Sequence, residues 1–472
     1  MRRTTDTNRL VKRLYQAGLV LIAAVTLLTE SASSSFAQAP NAELPKGFRP
    51  PPPVPKEFAI EKPLITDDDV NKWKKTRLEF TEALSGKLAG DAQKIVDEGF
   101  RVSVLELSIE DRRSDLTNLR KAIVRYVDQN ISDKNEEMKR FACKSIVKYA
   151  TTLLDGNFHV RLQATLLIGE LSIVAEAGGF KPKPAVAYVD AVPTLLDIIH
   201  PPKDGIDQPE PVRILAAMGT RRLLELGRQT LKPNSKIPVD TATRILAELE
   251  GNGTDWYHLR LSEALIQTAL TTVPNAQNQQ EPLIVEALAR IFSNPRRSLR
   301  IRARAARLLG RAPMPNGLQA APVAYSLVKL TQQIATEVNQ RRLQADEAVF
   351  LINDIYLAFK PETSGESTTD GRKGAGLLST LNQPAIQSAY KDIRPIVQSI
   401  FRQYQAANGK PVQGAFAPAL IQKLADWTKP ADMKLAPDRE SIEIPLRKPA
   451  AATPAAALPQ ANRQGGGANP SG

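Results

Sequence analysis

Three stretches decide the fold: "DGNFHVRLQATLLIGEL" at 155–171, "DQPEPVRILAAMGTRRL" at 207–223 and "RRSLRIRARAARLLGRA" at 296–312. Stacked on their Val-Arg or Ile-Arg pairs, they place Arg161, Arg213 and Arg302 in register, each with an alanine three residues on: Ala164, Ala216 and Ala305. Asp155 and Asp207 stand six residues before the first two arginines, whereas the third copy has Arg296 there. A weaker copy, "DWYHLRLSEALIQTAL" at 255–270, adds Arg260, and the intervals between successive arginines are 52, 47 and 42 residues. A recurrence in the forties, rich in Ala and Leu, describes a helix pair that cannot bury its apolar face alone and must stack on its neighbours. Scarce aromatics, 5% of the chain, agree with packed helices rather than strands.

These units resemble the HEAT and armadillo repeats, in which an aspartate stands in the turn between paired helices and an arginine early in the second. First helices are found in "AVPTLLDII" and "EPLIVEALARIF", each with a proline suited to a first helical turn. The resemblance implies an all-α fold, an α-solenoid of stacked helix pairs over 66–428, clearest at 140–312. It also implies a structural ladder between repeats made by Asp155, Arg161, Asp207, Arg213 and Arg302.

The arginines of the third stretch divide by helix angle. With Asn294 taken as N-cap and Pro295 as first helical residue, Arg297, Arg300, Arg304, Arg307 and Arg311 fall within about 80° of arc at ~100° per residue. Arg302 points into the apolar side. The five are therefore candidate anion- or partner-binding residues, beside the plainer reading of a solvated helix face. Arg304→Ala is expected to be nearly silent and Arg302→Ala destabilising.

The ends carry different signals. Arg2, Arg3, Arg9, Lys12 and Arg13 precede an apolar run from Ala17 to Leu28 and the small-residue segment "SASSSFAQA". This reads as a Sec-type signal peptide at 1–37, cleaved after Ala37, because the run is too short to span a bilayer comfortably; a retained anchor is the alternative. Residues 38–65 form a proline-rich linker, 361–376 a loop rich in Gly, Ser and Thr, and 429–472 an Ala/Pro/Gly-rich tail that reads as disordered. "TDDDVNKWKK" opens the helical array, with Thr66 and Asp69 forming a capping box rather than a calcium loop.

Removal of residues 1–37 takes away five bases and two acids, leaving +10 of the original net charge of +13. In a cell envelope that charge suits an acidic protein, an acidic polysaccharide or lipid headgroups, and nucleic acid is not expected. Cys143 stands alone, so no internal disulfide forms, and its apolar neighbours place it in the core. His159, His200 and His258 fall in no metal-binding spacing, and the sequence has no phosphate loop or nucleophile elbow. The expectation is a periplasmic or secreted scaffold for protein–protein interaction with no cofactor and no enzymatic activity. Binding of an anionic polymer is the alternative, and a cryptic enzyme a more distant one.

Overall fold

The computed structural model describes residues 63–176, 184–360, 376–381, 383–408, 414–431 and 433. The segment read as a signal peptide, most of the segment read as a linker, residues 361–375 of the segment read as a loop, and the segment read as a tail from 434 onward lie outside the described residues. Those described are predominantly helical, with two short two-stranded hairpins.

Local chemistry sets the helix starts. The first helix, α1 (Asp67–Ser85), opens with the capping box read from sequence: the Thr66 hydroxyl accepts from the Asp69 N–H at 3.2 Å while the Asp69 carboxylate accepts from the Thr66 N–H. The Thr66 hydroxyl and N–H also hold the Asp69 carboxyl below its ordinary pKa. Then follow α2 (Gly90–Leu105), α3 (Leu116–Asn130), α4 (Glu136–Thr152), capped by Asn135, and α5 (Phe158–Glu170), capped by Asn157. After a hairpin of β1 (Ser172–Val174) with β2 (Val186–Ala187) come α6 (Val192–Ile199), α7 (Glu210–Gly227), α8 (Ile237–Glu250) and α9 (Asp255–Gln267), capped by Thr254. A second hairpin, β3 (Val273–Pro274) with β4 (Gln280–Glu281), precedes α10 (Leu283–Ser293), α11 (Leu299–Arg311), α12 (Ala320–Asn339) and α13 (Ala345–Phe359). The last are α14 (Gly376–Thr380), α15 (Pro384–Ala407) and α16 (Pro418–Ala425).

Two interleaved series of contacts order these helices. In one, α3 packs on α5, α5 on α7, α7 on α9, α9 on α11 and α11 on α13. In the other, α6 packs on α8, α8 on α10 and α10 on α12. Cross-contacts of α6 with α7, α8 with α9, α10 with α11 and α12 with α13 join the series, so each pair buries one apolar face against its mate and another against the next pair. The interior is mostly aliphatic, with Leu167, Ile168, Leu195, Leu223, Leu261, Leu288, Leu309, Leu327 and Ile352 all inaccessible to solvent. Cys143 lies in it, and burial pushes its thiol up to about 12, which leaves it unreactive. The core reaches back to Ile65, and the Leu64 N–H donates to the Ser108 hydroxyl at 3.0 Å.

One crossing depends on glycine at close approach. A Cβ added at Gly169 of α5 would lie 2.8 Å from the Gly219 Cα of α7. Gly169→Val is therefore expected to push the two helices apart and lower stability by about 1–3 kcal/mol, read from the urea midpoint. A midpoint equal to wild type would mean the crossing is looser than this geometry.

Candidate functional site

The repeat arginines turn inward and tie neighbouring units together. Arg161, on α5 and almost wholly buried, donates from Nε to the Gly156 carbonyl at 2.5 Å and from Nη1 to Gln208 Oε1 at 3.1 Å. Burial lowers its pKa, while the charge of Asp155 acts the other way. Gln208 in turn donates to the Leu154 carbonyl at 3.0 Å. Thus Asp155 and Arg161 come together, but the neighbouring unit's contribution is Gln208; Asp207 beside it is exposed. Arg213, on α7, pairs with Glu248 of α8 at 3.1 Å and lies 5.0 Å from the centre of the Tyr257 ring. Arg302, on α11, is buried and donates to the Phe292 carbonyl at 3.0 Å and to Gln333 Oε1 on α12 at 2.8 Å. Burial pulls its pKa down to about 10.

A similar pairing had escaped the sequence reading. Arg120 of α3, also buried, donates to Gln163 Oε1 of α5 at 2.9 Å and pairs with Glu170. Arg120, Arg161 and Arg302 therefore each meet a glutamine amide. The signal would have been a glutamine near the next unit's helix rather than an aspartate before the arginine.

The five outer arginines are placed differently from the sequence expectation at one point. The helix starts at Leu299 with Ser298 as N-cap, not at Pro295. The Asn294 side chain accepts from the Arg296 N–H at 2.9 Å and its carbonyl from the Arg297 N–H at 3.2 Å, closing a turn before the helix begins. Arg297 consequently leaves the helical arc and pairs with Asp255 of α9 at 3.1 Å. The Ser298 N–H donates to the same carboxylate at 2.9 Å. Burial disfavours the Asp255 charge, but these hydrogen bonds more than offset that and hold its pKa below the ordinary value.

Arg304 and Arg307 join a ladder of charges across four helices. Glu263 of α9 is 3% exposed and receives Arg221 of α7 at 3.1 Å, Arg260 of its own helix at 2.7 Å and Arg304 of α11 at 3.2 Å. Arg304 reaches on to Asp354 of α13 at 3.3 Å, where Arg307 also binds at 3.0 Å. Burial works against the Glu263 charge, yet Arg221, Arg260 and Arg304 together hold its pKa below the ordinary value. Arg311 lies half-buried in the last turn of α11, where the helix dipole favours a cation. Arg300 is exposed, and its guanidinium lies 6.0 Å from the centre of the Trp256 ring.

The expectation that Arg304→Ala is silent does not survive this geometry, because Arg304 bridges two carboxylates, one of them buried. Its loss is expected to cost about 1–2 kcal/mol. Arg302→Ala should cost about 1–3 kcal/mol by leaving Gln333 and the Phe292 carbonyl short of a donor. Arg300→Ala should leave the melting temperature unchanged. Thermal melts of the three variants check the order, and an Arg300 variant as unstable as Arg302→Ala would contradict it.

The histidines are dispersed. His159 is half-buried beside the Phe158 ring, and His200 Nδ1 lies 2.8 Å from Glu248 Oε1. His258 is fully buried, with neither ring nitrogen hydrogen-bonded among the described residues. No cluster of three His, Cys, Asp or Glu residues placed to hold a metal occurs among the described residues. No protein-family model matches the sequence, and no curated protein matches it.

Proposed function

We propose that the chain is an exported α-solenoid of HEAT-like helix pairs that serves as a protein-binding scaffold in the periplasm or outside the cell. The observation that carries this reading is the interleaved packing, in which each helix from α5 to α11 meets the second-next along the chain and repeat arginines cross from unit to unit. Such stacking adds units without closing a core and presents long rows of helix faces to a partner. Export rests on the basic and apolar segments that open the sequence. Among the described residues no helix is long and apolar enough to cross a membrane.

The anionic-polymer reading is the weaker of the two. Arg297, Arg304 and Arg307 already neutralise Asp255, Glu263 and Asp354, and that leaves fewer of the outer arginines for an external polyanion. The test is cross-linking of the full chain in its native envelope fraction, followed by mass spectrometry. The expected result is one protein recovered at a fixed ratio. Recovery of the chain only on acidic polysaccharide or anionic vesicles, with no protein partner, would reverse the order of the two readings.

A further inference from the structure

At one end of the charge ladder an aromatic ring remains in solvent. Trp256, in the first turn of α9, is 42% exposed although its neighbours Tyr257 and His258 are buried. The Arg260 guanidinium, one turn further along the helix, lies 4.0 Å from the indole centre, and Arg300 of α11 approaches to 6.0 Å. Arg300 makes no ion pair among the described residues. The nearby carboxylates are engaged elsewhere: Asp255 holds Arg297 and the Ser298 N–H, and Glu263 lies buried beneath Arg221, Arg260 and Arg304. The charge this edge offers to solvent is therefore positive.

We propose that Trp256 and Arg300, with Arg260 holding the indole in place, form a docking surface for an acidic, extended peptide segment of a partner protein. The proposal rests on the scaffold reading and names the partner's chemistry. Tryptophan and arginine are the residues most enriched where binding energy concentrates, and a guanidinium offers a carboxylate two parallel hydrogen bonds. Charge argues against a second copy of this chain as the occupant. After loss of residues 1–37 a second copy brings a net charge of +10, which a basic edge repels. What the site presents is a half-exposed indole for an apolar side chain, with the Arg300 guanidinium beside it for a carboxylate.

The test is fluorescence anisotropy of the full chain with a labelled peptide alternating Glu and Leu, set against the same peptide with Gln in place of Glu. The Glu peptide should bind, more weakly as salt rises, and the Gln peptide should not. Trp256→Ala and Arg300→Glu should each weaken binding by at least about ten-fold, with circular dichroism and melting temperature unchanged. Arg402→Glu, the same charge change at an exposed position on α15, should leave binding intact. The proposal is overturned if the Glu peptide fails to bind or if Arg402→Glu loses as much as Arg300→Glu. It is also overturned if oligogalacturonate binds more tightly than the peptide with the same dependence on Trp256. Cross-linking of the Trp256 and Arg300 variants separates the two levels of inference: a partner still captured at the wild-type ratio rejects this surface and leaves the scaffold standing, while no partner for wild type rejects the scaffold.

Discussion

Glu263→Ala is expected to lower the unfolding free energy by about 3–5 kcal/mol, the range for removing one side of a buried ion cluster. Truncation removes the shared acceptor of Arg221, Arg260 and Arg304 and leaves three neighbouring guanidinium groups repelling one another around a cavity. Asp354 still holds Arg304, so the damage centres on the α7–α9 contact. Glu225, more exposed and paired among the described residues only with Arg221 of its own helix at 3.5 Å, supplies the comparison. Its alanine variant should cost less than about 1 kcal/mol, as exposed pairs do. Urea unfolding of both variants measures the difference, and equal losses would show that the carboxylate is not the hub described.

Acid should expose the second large effect, through His258. Burial and the nearby charge of Arg297 depress its pKa from 6.5 to about 4, against the opposing pull of Asp255, Glu210 and Glu248. In the unfolded chain the imidazole gains its proton as pH falls through 6.5, while in the folded chain it stays neutral down to about 4. Stability is therefore complete above pH 6.5 and falls between there and about pH 4, by about 3 kcal/mol for this residue. His258→Leu removes the titration. The gap between wild type and variant, followed by urea midpoints from neutral pH down to about 4, should change by that amount in wild type's disfavour. A constant gap would place the imidazole in contact with water. Carboxylates also titrate near the lower end of the range, but they do so in both proteins and cancel in the comparison.

The predominantly helical character was legible because Ala- and Leu-rich segments carry it locally, residue by residue, whereas the two short hairpins gave no such signal. The capping box of Thr66 and Asp69 was legible for the same reason, since both partners lie within one turn. Arg302 could be turned inward from its angle alone, because its apolar neighbours on α11 define the buried side. The helix start was misplaced because Asn-Pro reads equally as a cap and as a turn, and only the bonds from Arg296 and Arg297 to Asn294 distinguish them. Glu263 gave no signal at all. Its partners Arg221 and Arg304 are 42 and 41 residues away, and an acid in a helix ordinarily faces water. Gln208 and Gln333 escaped likewise, since a glutamine acquires its role only when another unit brings an arginine to it.

The Glu263 and Asp354 ladder has a mechanical consequence. Helices joined only through apolar faces can slide and peel one pair at a time, since a greasy contact has no preferred length. Four helices pinned by charge-assisted bonds of 2.7 to 3.3 Å have little such slack. Pulled from its two ends, the chain should yield first where such pins are sparse and hold along α7–α13 until the whole segment gives way in one rupture. A stack of helices built this way should behave as a spring with a stiff middle.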